Sequence, residues 1–323
     1  MHGCISLHTY ICIRLYRYIH NYADMQTYIR LCTDMHICVK PQSAICLYAN
    51  IYTYINKNMN TKTDTPAPIR VGFGSQKGGI GKSTVAEVLA SYLYYEKDIR
   101  LLVMDCDYAQ HSFFRLRERD KQAVEGSSAL QEKLKAYIRK TGKRSYRILK
   151  AKPQDAISVT ESYIAGHPED EISLVLYDLP GRSDSSELLS LALDMDYIIS
   201  PIEADLQSIA SCMAYAITIR DMGVMLSGSR IRQIFMLWNK VDRRVSPKIM
   251  ESYDKEILDC GLGMLSTRLP RSVKFSKELS MNTGGIFRST YMAPEKELLS
   301  DSNIDRLADE LIETLNLRAY GQK

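Results

Sequence analysis

The stretch QKGGIGKST, residues 76–84, decides the fold of this chain. It follows an apolar run at residues 69–73 and precedes a helical pattern at residues 85–95. A strand that leads through a glycine-rich turn into a helix N-terminus forms a phosphate cradle. Glycines let backbone N–H groups turn inward, and the helix dipole favours negative charge there. The stretch therefore predicts a nucleotide site rather than a plain loop or helix cap.

Two side chains of this loop are expected to contact the nucleotide and its metal. Lys82 is predicted to reach the β- and γ-phosphates, and the Ser83 hydroxyl to ligate Mg²⁺. The position five residues before Gly81, glycine in the usual P-loop pattern, is Gln76, and the loop carries an additional lysine, Lys77. The residues predicted to hold the nucleotide are Gly78, Gly79, Ile80, Gly81, Lys82, Ser83 and Thr84.

The sequence KGGIGKST resembles the deviant Walker A motif, and with the preceding Gln76 it is similar to the ParA family of partitioning ATPases. MinD-type and nitrogenase-iron-protein-type ATPases share Lys77 but more often have glycine in place of Gln76. In families with this motif, the lysine crosses to the γ-phosphate of the partner subunit and acts as an arginine finger does. The resemblance implies that Lys77 and Lys82 are catalytic and that ATP closes a homodimer.

Composition narrows the class of protein. The chain has 323 residues, 45% of them apolar and 25% charged, which is ordinary for a globular protein. A net charge of +4 is too small to indicate nucleic acid by itself. No apolar stretch reaches the roughly 18 residues that span a bilayer. Cys106, Cys212 and Cys260 show no metal-ligand spacing, which indicates a reduced, cytoplasmic protein.

Residues 1–66 differ from the rest of the chain. The first 58 residues hold four of the six histidines, five of the eight cysteines and only two acidic residues. They sustain neither the helical nor the strand period, and a signal peptide does not fit them. We expect an extension with little defined structure, translated from an upstream start codon, with Met59 as the natural beginning. A metal-binding segment is the alternative. Residues 67–323 are expected to form one ParA-like P-loop ATPase domain.

Apolar runs and helical patterns alternate from residue 67 onward. Because continuous apolar strands separated by helices are typical of a parallel sheet covered on both faces, we expect an α/β P-loop NTPase fold. In such sheets ligands bind at the carboxyl ends of the strands. The predicted strands are residues 69–74, 100–104, 173–177, 196–201 and 233–238.

Three aspartates stand at predicted strand ends. Asp178, followed by Leu-Pro-Gly, is expected to hold Mg²⁺ as a Walker B residue, with a turn-capping role as the alternative. Asp105 and Asp107 lie in DCDYAQ, which resembles the DxDPQ motif of the ParA family with the proline missing and Gln110 present. The resemblance implies that Asp107 orients the attacking water and that Asp105 supports the metal. Strand alternation would direct both carboxylates to one site.

The base-binding side carries a motif with two interpretations. Asn239-Lys240-Val241-Asp242 resembles the NKxD base-recognition motif of GTPases, whereas ParA-like proteins use an asparagine at this strand end to contact adenine. The motif leaves ATP and GTP open, and the rest of the resemblance favours ATP, with Asn239 at the base. Pro270 lies in LPRSVKF, residues 269–275, which resembles a late ParA-family segment whose backbone lines the base.

Two basic groups are candidates for a nucleic-acid surface. Residues 133–152 hold nine basic residues and no acidic one, with Tyr137 and Tyr146 interleaved. Neutralising several phosphates would give salt-sensitive binding to nonspecific DNA. A solvated helix face is the alternative. The second group, comparable with the late basic helices of ParA-like dimers, is Arg268, Arg271, Lys274, Lys277 and Arg288.

The last helical pattern, at residues 304–315, has apolar residues at helical spacing and an acidic polar face. Acidic residues would be repelled by anionic lipid, so we expect core packing and no membrane contact, unlike the terminal helix of MinD-like proteins. Before it, FRSTYMAP at residues 287–294 resembles ParA-like TraA proteins of conjugative elements.

The sequence predicts an ATP-dependent, dimerising partition switch that acts in DNA segregation or conjugative transfer. A ParB-like partner would accelerate hydrolysis of ATP with Mg²⁺, in the cytoplasm or on the nucleoid. The alternatives are a metabolic or metal-maturation NTPase of the same fold and a MinD-like positioning ATPase.

Overall fold

The computed structural model describes residues 67–181, 185–226, 228–278 and 286–317. The chain divides into two units, residues 1–63 and 64–323, and the described residues belong to the second. The expectations for the N-terminal extension lie outside the described residues.

The described strands form one parallel sheet in the order β3-β2-β4-β1-β5-β6-β7. Their bounds are β1 Ile69–Phe73, β2 Leu101–Asp105, β3 Arg147–Lys150, β4 Leu174–Asp178, β5 Tyr197–Ile202, β6 Gln233–Trp238 and β7 Gly263–Met264. The helices are α1 Lys82–Tyr95, α2 Ser112–Glu125, α3 Ser128–Thr141, α4 Ala156–Gly166, α5 Ser186–Leu193, α6 Leu206–Met225, α7 Pro247–Asp259, α8 Lys296–Leu299 and α9 Ile304–Thr314.

The register of the central strands sets the position of the site. Asp178 at the end of β4 lies beside Phe73 at the end of β1 and beside Asp105 at the end of β2. The carboxyl ends of three neighbouring strands therefore lie level with one another. The phosphate loop and the aspartates leave the sheet at this common edge.

Helices cover both faces of the sheet, as the apolar runs predicted. Along β2, Leu101 and Val103 pack with one core cluster, which includes α1 and α9, and Leu102 and Met104 pack with the other. The second cluster includes residues of α4, α5, α6 and α7. Because successive strand residues face opposite sides, the two clusters are the two faces of one sheet. The apolar face of α9 is buried against the first face, so its helical pattern serves core packing.

A network of hydrogen bonds connects residues 286–295 to helices α1 and α2. Asp120 of α2 is fully buried, and its Oδ2 accepts hydrogen bonds from the backbone N–H of Thr290 at 2.6 Å and from the Ser289 hydroxyl at 3.1 Å. From α1, the Ser91 hydroxyl donates to the Ser289 carbonyl, and the Tyr95 hydroxyl donates to the Thr290 carbonyl at 2.9 Å. This segment therefore joins the helix of the phosphate loop to the helix after β2.

No helix in the described ranges is both long enough and apolar enough to cross a membrane.

Candidate nucleotide-binding site

Residues 74–81 connect β1 to α1 and form the phosphate loop. Gly79 has φ +73° and Gly81 has φ +91°, a left-handed conformation that residues with a Cβ rarely adopt. A Cβ on Gly81 would also lie 2.6 Å from Nδ2 of Asn239, whereas Gly78 and Gly79 face open space. The loop thus keeps a cradle free of side chains in front of the helix N-terminus, as an anion site requires. The helix begins at Lys82, three residues before the predicted pattern.

The side chain of Lys82 turns into the site and is buried. A Cβ on Gly181 would lie 3.0 Å from its Nζ, so the loop after β4 closes directly over the lysine amine. Burial lowers the pKa of Lys82, and the carboxylates of Asp178 and Asp107 oppose this effect. The lysine is therefore a cation held among carboxylates in a shielded pocket, where it would pair strongly with a phosphate.

Asp178 is fully buried, and neither of its carboxylate oxygens has a hydrogen-bond partner of good geometry among the described residues. Burial, together with the charges of Asp105 and Asp107, raises its pKa to about 7, although nearby Ser83 and Lys82 act to lower it. A buried carboxylate without partners costs free energy unless a ligand satisfies it. This residue is therefore arranged to receive a cation.

The two other aspartates lie near Asp178. Oδ2 of Asp105 accepts a hydrogen bond from the backbone N–H of Phe114 at 3.1 Å, and its Oδ1 has no hydrogen-bond partner and lies 3.5 Å from His111 Nδ1. The strand β2 ends at Asp105, so Asp107 lies in the following turn and strand alternation does not set its direction. Asp107 nevertheless lies close enough to affect the pKa of Asp178 and Lys82.

The residues present fit a magnesium ion. Ser83, Asp105 and Asp178 supply hydroxyl and carboxylate oxygens, the hard ligands that Mg²⁺ prefers. The described residues contain no cluster of three His, Cys, Asp or Glu side chains placed to bind a metal. Two carboxylates and one hydroxyl leave coordination positions for phosphate oxygens and water, which is how Mg²⁺ is usually bound beside nucleotides.

The amine of Lys77 contacts a residue outside the phosphate loop. Its Nζ contacts the two carboxylate oxygens of Asp205 at 3.0 and 3.2 Å. Asp205 is also the N-cap of α6, because its Oδ1 accepts a hydrogen bond from the backbone N–H of Ser208 at 2.8 Å. Lys77 is therefore held at the rim of the site within its own subunit.

The predicted base-contact residue supports the phosphate loop. The side-chain amide of Asn239 donates to the Ile80 carbonyl at 2.7 Å, and the amine of Lys240 donates to the Gly79 carbonyl at 2.6 Å. The Ile80 side chain is fully buried in the core, so Ile80 can meet a nucleotide only through its backbone. Pro270 pairs with Val241 in an isolated bridge beside the end of β6. Asn239 thus contacts the phosphate loop directly, and Pro270 is linked to it through its bridge to Val241.

The two basic groups have different surroundings. In the first group, at residues 133–152, Lys143 lies 2.6 Å from Asp98 and Lys133 pairs with Glu295. Three other residues of this group are exposed and make no ion pair among the described residues: Lys140, Arg144 and Lys152. Tyr146 is buried, so it provides no exposed ring for stacking on a base.

The second group is largely neutralised. Arg268 pairs with Asp254 at 2.8 Å. Arg288, whose side chain is 15% exposed, pairs with Glu87 at 3.1 Å and with Glu278, so it belongs to the interior rather than to a basic surface. Of the two groups, the first therefore offers the more open positive charge.

Sequence reasoning missed three residues of the site: Asp205, Lys240 and Gly181. Lys240 lies in the NKxD-like motif and supports the phosphate loop. Gly181 lies in the Leu-Pro-Gly sequence after Asp178, directly over the amine of Lys82. Asp205 precedes a helix and has Ser208 three residues later, a pattern that indicates a cap and nothing more. No local signal links it to Lys77.

A profile described as the CobQ/CobB/MinD/ParA nucleotide binding domain matches residues 71–283. Among solved structures, a complex of an McdA variant with ATP, from Cyanothece, superposes with a TM-score of 0.51 at 14% identity, covering 80% of this chain and 100% of that chain. The cell division ATPase MinD of Pyrococcus furiosus gives 0.49 at 15% identity, covering 77% and 100%. The pNOB8 ParA bound to nonspecific DNA gives 0.47 at 15%, covering 77% and 99%. No curated protein sequence matches the chain significantly.

Proposed function

Because this chain belongs to the CobQ/CobB/MinD/ParA family of nucleotide-binding domains, we propose that it is a magnesium-dependent ATPase that dimerises on ATP and acts as a DNA partition switch. The observation that carries the proposal is the buried, unpaired carboxylate of Asp178 beside Ser83 and Lys82. Such a carboxylate is costly in an empty site and is satisfied when a cation binds.

The residues of the site divide the work of phosphoryl transfer. The loop backbone and Lys82 bind the β- and γ-phosphates, and Ser83, Asp105 and Asp178 hold Mg²⁺, which neutralises phosphate charge when bound. Asp107, in the turn after β2, orients the attacking water. Asn239 and Pro270 border the base. Support for ATP comes from the family and from the fold shared with McdA, which was solved with ATP.

Lys77 has a proposed role in the dimer that differs from its contact within one subunit. On its own subunit the lysine amine is held by Asp205, outside the phosphate loop. We infer that it leaves Asp205 and reaches the γ-phosphate held by a second subunit, where a cation stabilises the charge of the transition state. ATP then bridges two copies of the chain, and hydrolysis releases them.

DNA binding is proposed on the open basic residues. Lys140, Arg144 and Lys152 are exposed and have no ion-pair partner within the described part of the chain, and contacts to phosphates are independent of DNA sequence. The cellular process would be segregation or conjugative transfer of DNA, with a ParB-like partner that stimulates hydrolysis, in the cytoplasm or on the nucleoid.

The test is duplex DNA binding by the full chain with ATP, with ADP and without nucleotide, across a salt series. Lys82→Ala and Lys77→Ala are compared with Lys248→Ala, which removes the same charge from the exposed face of α7. Salt-sensitive binding that requires ATP and is lost only in the first two variants is expected. ATP hydrolysis without DNA binding in any state would favour the metabolic NTPase, and ATP-dependent binding to anionic vesicles would favour the MinD-like positioner.

A further inference from the structure

The segment Asn239–Val241 joins the two sides of the nucleotide site. Asn239 and Lys240 donate to carbonyls of the phosphate loop. Val241 exchanges backbone hydrogen bonds with the base-bordering segment, because its N–H donates to the Leu269 carbonyl and its carbonyl accepts from the Arg271 N–H. Asp242 follows directly, and the charge of Arg271 affects its pKa. Asp242 therefore directly follows the residue that pairs with the segment proposed to border the base, and its carboxylate lies close enough to sense the charge of Arg271.

This carboxylate is engaged by Arg244. The guanidinium donates from Nε to Oδ1 at 2.9 Å and from a terminal nitrogen to Oδ2 at 2.8 Å. The backbone N–H of Arg244 donates to Oδ1 at 3.0 Å as well. Two parallel N–H···O bonds form the fork geometry that arginine makes with carboxylates. The hydrogen bonds from Arg244 hold the pKa of Asp242 well below its ordinary value.

The two purine bases differ in what they need from such a carboxylate. Guanine presents N1–H and the N2 amino group on one edge, two donors that match the two oxygens of a free carboxylate. Adenine presents an acceptor at N1 in place of that donor and gains nothing from a carboxylate there. A site that offers two acceptors to guanine therefore binds guanine more tightly than adenine. When the acceptors are engaged elsewhere, this preference for guanine is lost.

We propose that Arg244 is a specificity-determining residue, which holds the Asp242 carboxylate away from guanine and thereby biases the site toward adenine nucleotides. This inference rests on the proposed function, which places a nucleotide in the loop at residues 74–81. It assigns a role to the NKxD-like motif, which by itself left ATP and GTP open.

The position of Arg244 allows its removal without damage to the fold. Its side chain is 89% exposed, and it contacts Asp242. Arg243, its neighbour, is also exposed and has no ion pair among the described residues. Removing either arginine changes the net charge equally, so Arg243→Ala is a matched control for Arg244→Ala.

The experiment measures the affinity of the full chain for ATP and for GTP, each with Mg²⁺, by calorimetry. Arg244→Ala should bind GTP about twofold to fivefold more tightly than the wild type, the range that an exposed ion pair allows, and its affinity for ATP should stay unchanged, because adenine gains nothing from the released acceptor. Arg244→Lys keeps the positive charge but cannot form the two parallel hydrogen bonds to Asp242. Its affinity for GTP should lie between those of the wild type and Arg244→Ala. Arg243→Ala should match the wild type.

A double variant identifies the acceptor. Asp242→Asn combined with Arg244→Ala should return GTP affinity to the wild-type value, because the released carboxylate is gone. Unchanged GTP affinity in Arg244→Ala, or an equal gain for both nucleotides, would overturn the inference while leaving the ATPase proposal intact. A wild-type chain that binds neither nucleotide would overturn the proposed function itself.

Discussion

Lys77 and Asp205 are 128 residues apart in sequence, and their charged groups lie 3.0 Å apart at the rim of the nucleotide site. The contact engages the amine of the lysine that distinguishes this loop with a carboxylate at the start of α6. If ATP bridges two copies, each Lys77 must exchange Asp205 for a phosphate of the partner. The strength of this ion pair therefore enters the free energy of dimerisation.

The variant Asp205→Asn is expected to tighten the ATP-dependent dimer about twofold to thirtyfold, because two such ion pairs are given up in each dimer. The pair is partly exposed, so it stabilises the monomer by about 0.2–1 kcal/mol. Asparagine preserves the helix cap to Ser208, because it is as good an N-cap as aspartate. Analytical ultracentrifugation with ATP measures the dimer constant. A weaker dimer would show that Asp205 supports the dimer rather than competing with it.

Asp178→Asn is expected to abolish hydrolysis and yet stabilise the nucleotide-free protein. At pH 8, above the pKa of about 7, the buried carboxylate of Asp178 is ionised and unpaired. Replacing it by an amide of equal size removes a charge that costs about 1–3 kcal/mol. Thermal unfolding without nucleotide checks the gain in stability, and phosphate release checks the loss of activity. A melting temperature of Asp178→Asn below that of the wild type would show that the buried charge of Asp178 does not destabilise the nucleotide-free protein.

Leu206→Asp is expected to weaken the ATP-dependent dimer at least tenfold. Leu206 is 72% exposed and lies next to Asp205 at the edge of the site, where Tyr108 is 62% exposed. Apolar side chains at this edge would be buried between two subunits that share ATP. Val224→Asp, at the other end of α6, where Val224 is 64% exposed, is the matched control and should leave the dimer unchanged. Equal effects of the two variants would place the interface elsewhere.

Reversing charge on the first basic group is expected to weaken DNA binding uniformly across sequences. In Lys140→Glu/Arg144→Glu the slope of log affinity against log salt should fall by about 2, or about 1 for each lost phosphate contact. A fluorescence anisotropy titration at several salt concentrations measures the slope. The control is Lys248→Glu/Lys255→Glu on α7, with an equal change in charge. An unchanged slope in the test variant would exclude this surface.

Asp120→Asn is expected to alter how stability depends on pH. Burial raises the pKa of Asp120 to about 6 from its ordinary 3.8. The folded state therefore binds more protons than the unfolded state between about pH 4 and pH 6, so the wild type loses stability as pH rises through this range. The difference corresponds to about 3 kcal/mol at about 1.4 kcal/mol per pKa unit.

Urea denaturation of both proteins at pH 4.5, 5.5 and 7 measures the effect. The free energy of unfolding of the wild type should fall relative to that of Asp120→Asn from pH 4.5 to pH 7. Parallel curves would show that the hydrogen bonds from Ser289 and Thr290 hold Asp120 ionised throughout.

The parallel sheet and the phosphate loop could be predicted because their signals are local. Apolar runs mark β1, β2, β4, β5 and β6 to within one or two residues, and the loop carries its own glycine spacing. The strand ends meet at one edge by the geometry of parallel sheets, so the proximity of Asp105 and Asp178 follows from the same pattern.

Contacts between distant parts of the chain could not be predicted in this way. The pairing of Lys77 with Asp205 depends on where β5 lies beside β1, which no spacing reveals. Arg288 belongs to a basic group in the sequence, but its side chain is only 15% exposed and pairs with Glu87 of the buried helix α1. Tyr146, predicted to be available for stacking on a base, is buried. The neighbours of a side chain in the sequence say little about its burial.

The packing of α9 against α1 has a consequence for how the protein is made. The apolar face of α1 is covered by a helix that lies over 200 residues later in the chain. Ribosomes add roughly 5–20 residues per second, so the phosphate-loop helix emerges tens of seconds before its cover is synthesised. During that interval its apolar face is exposed on the nascent chain, and chaperones that recognise apolar segments have time to bind it. The helix of the phosphate loop is thus synthesised early and covered last.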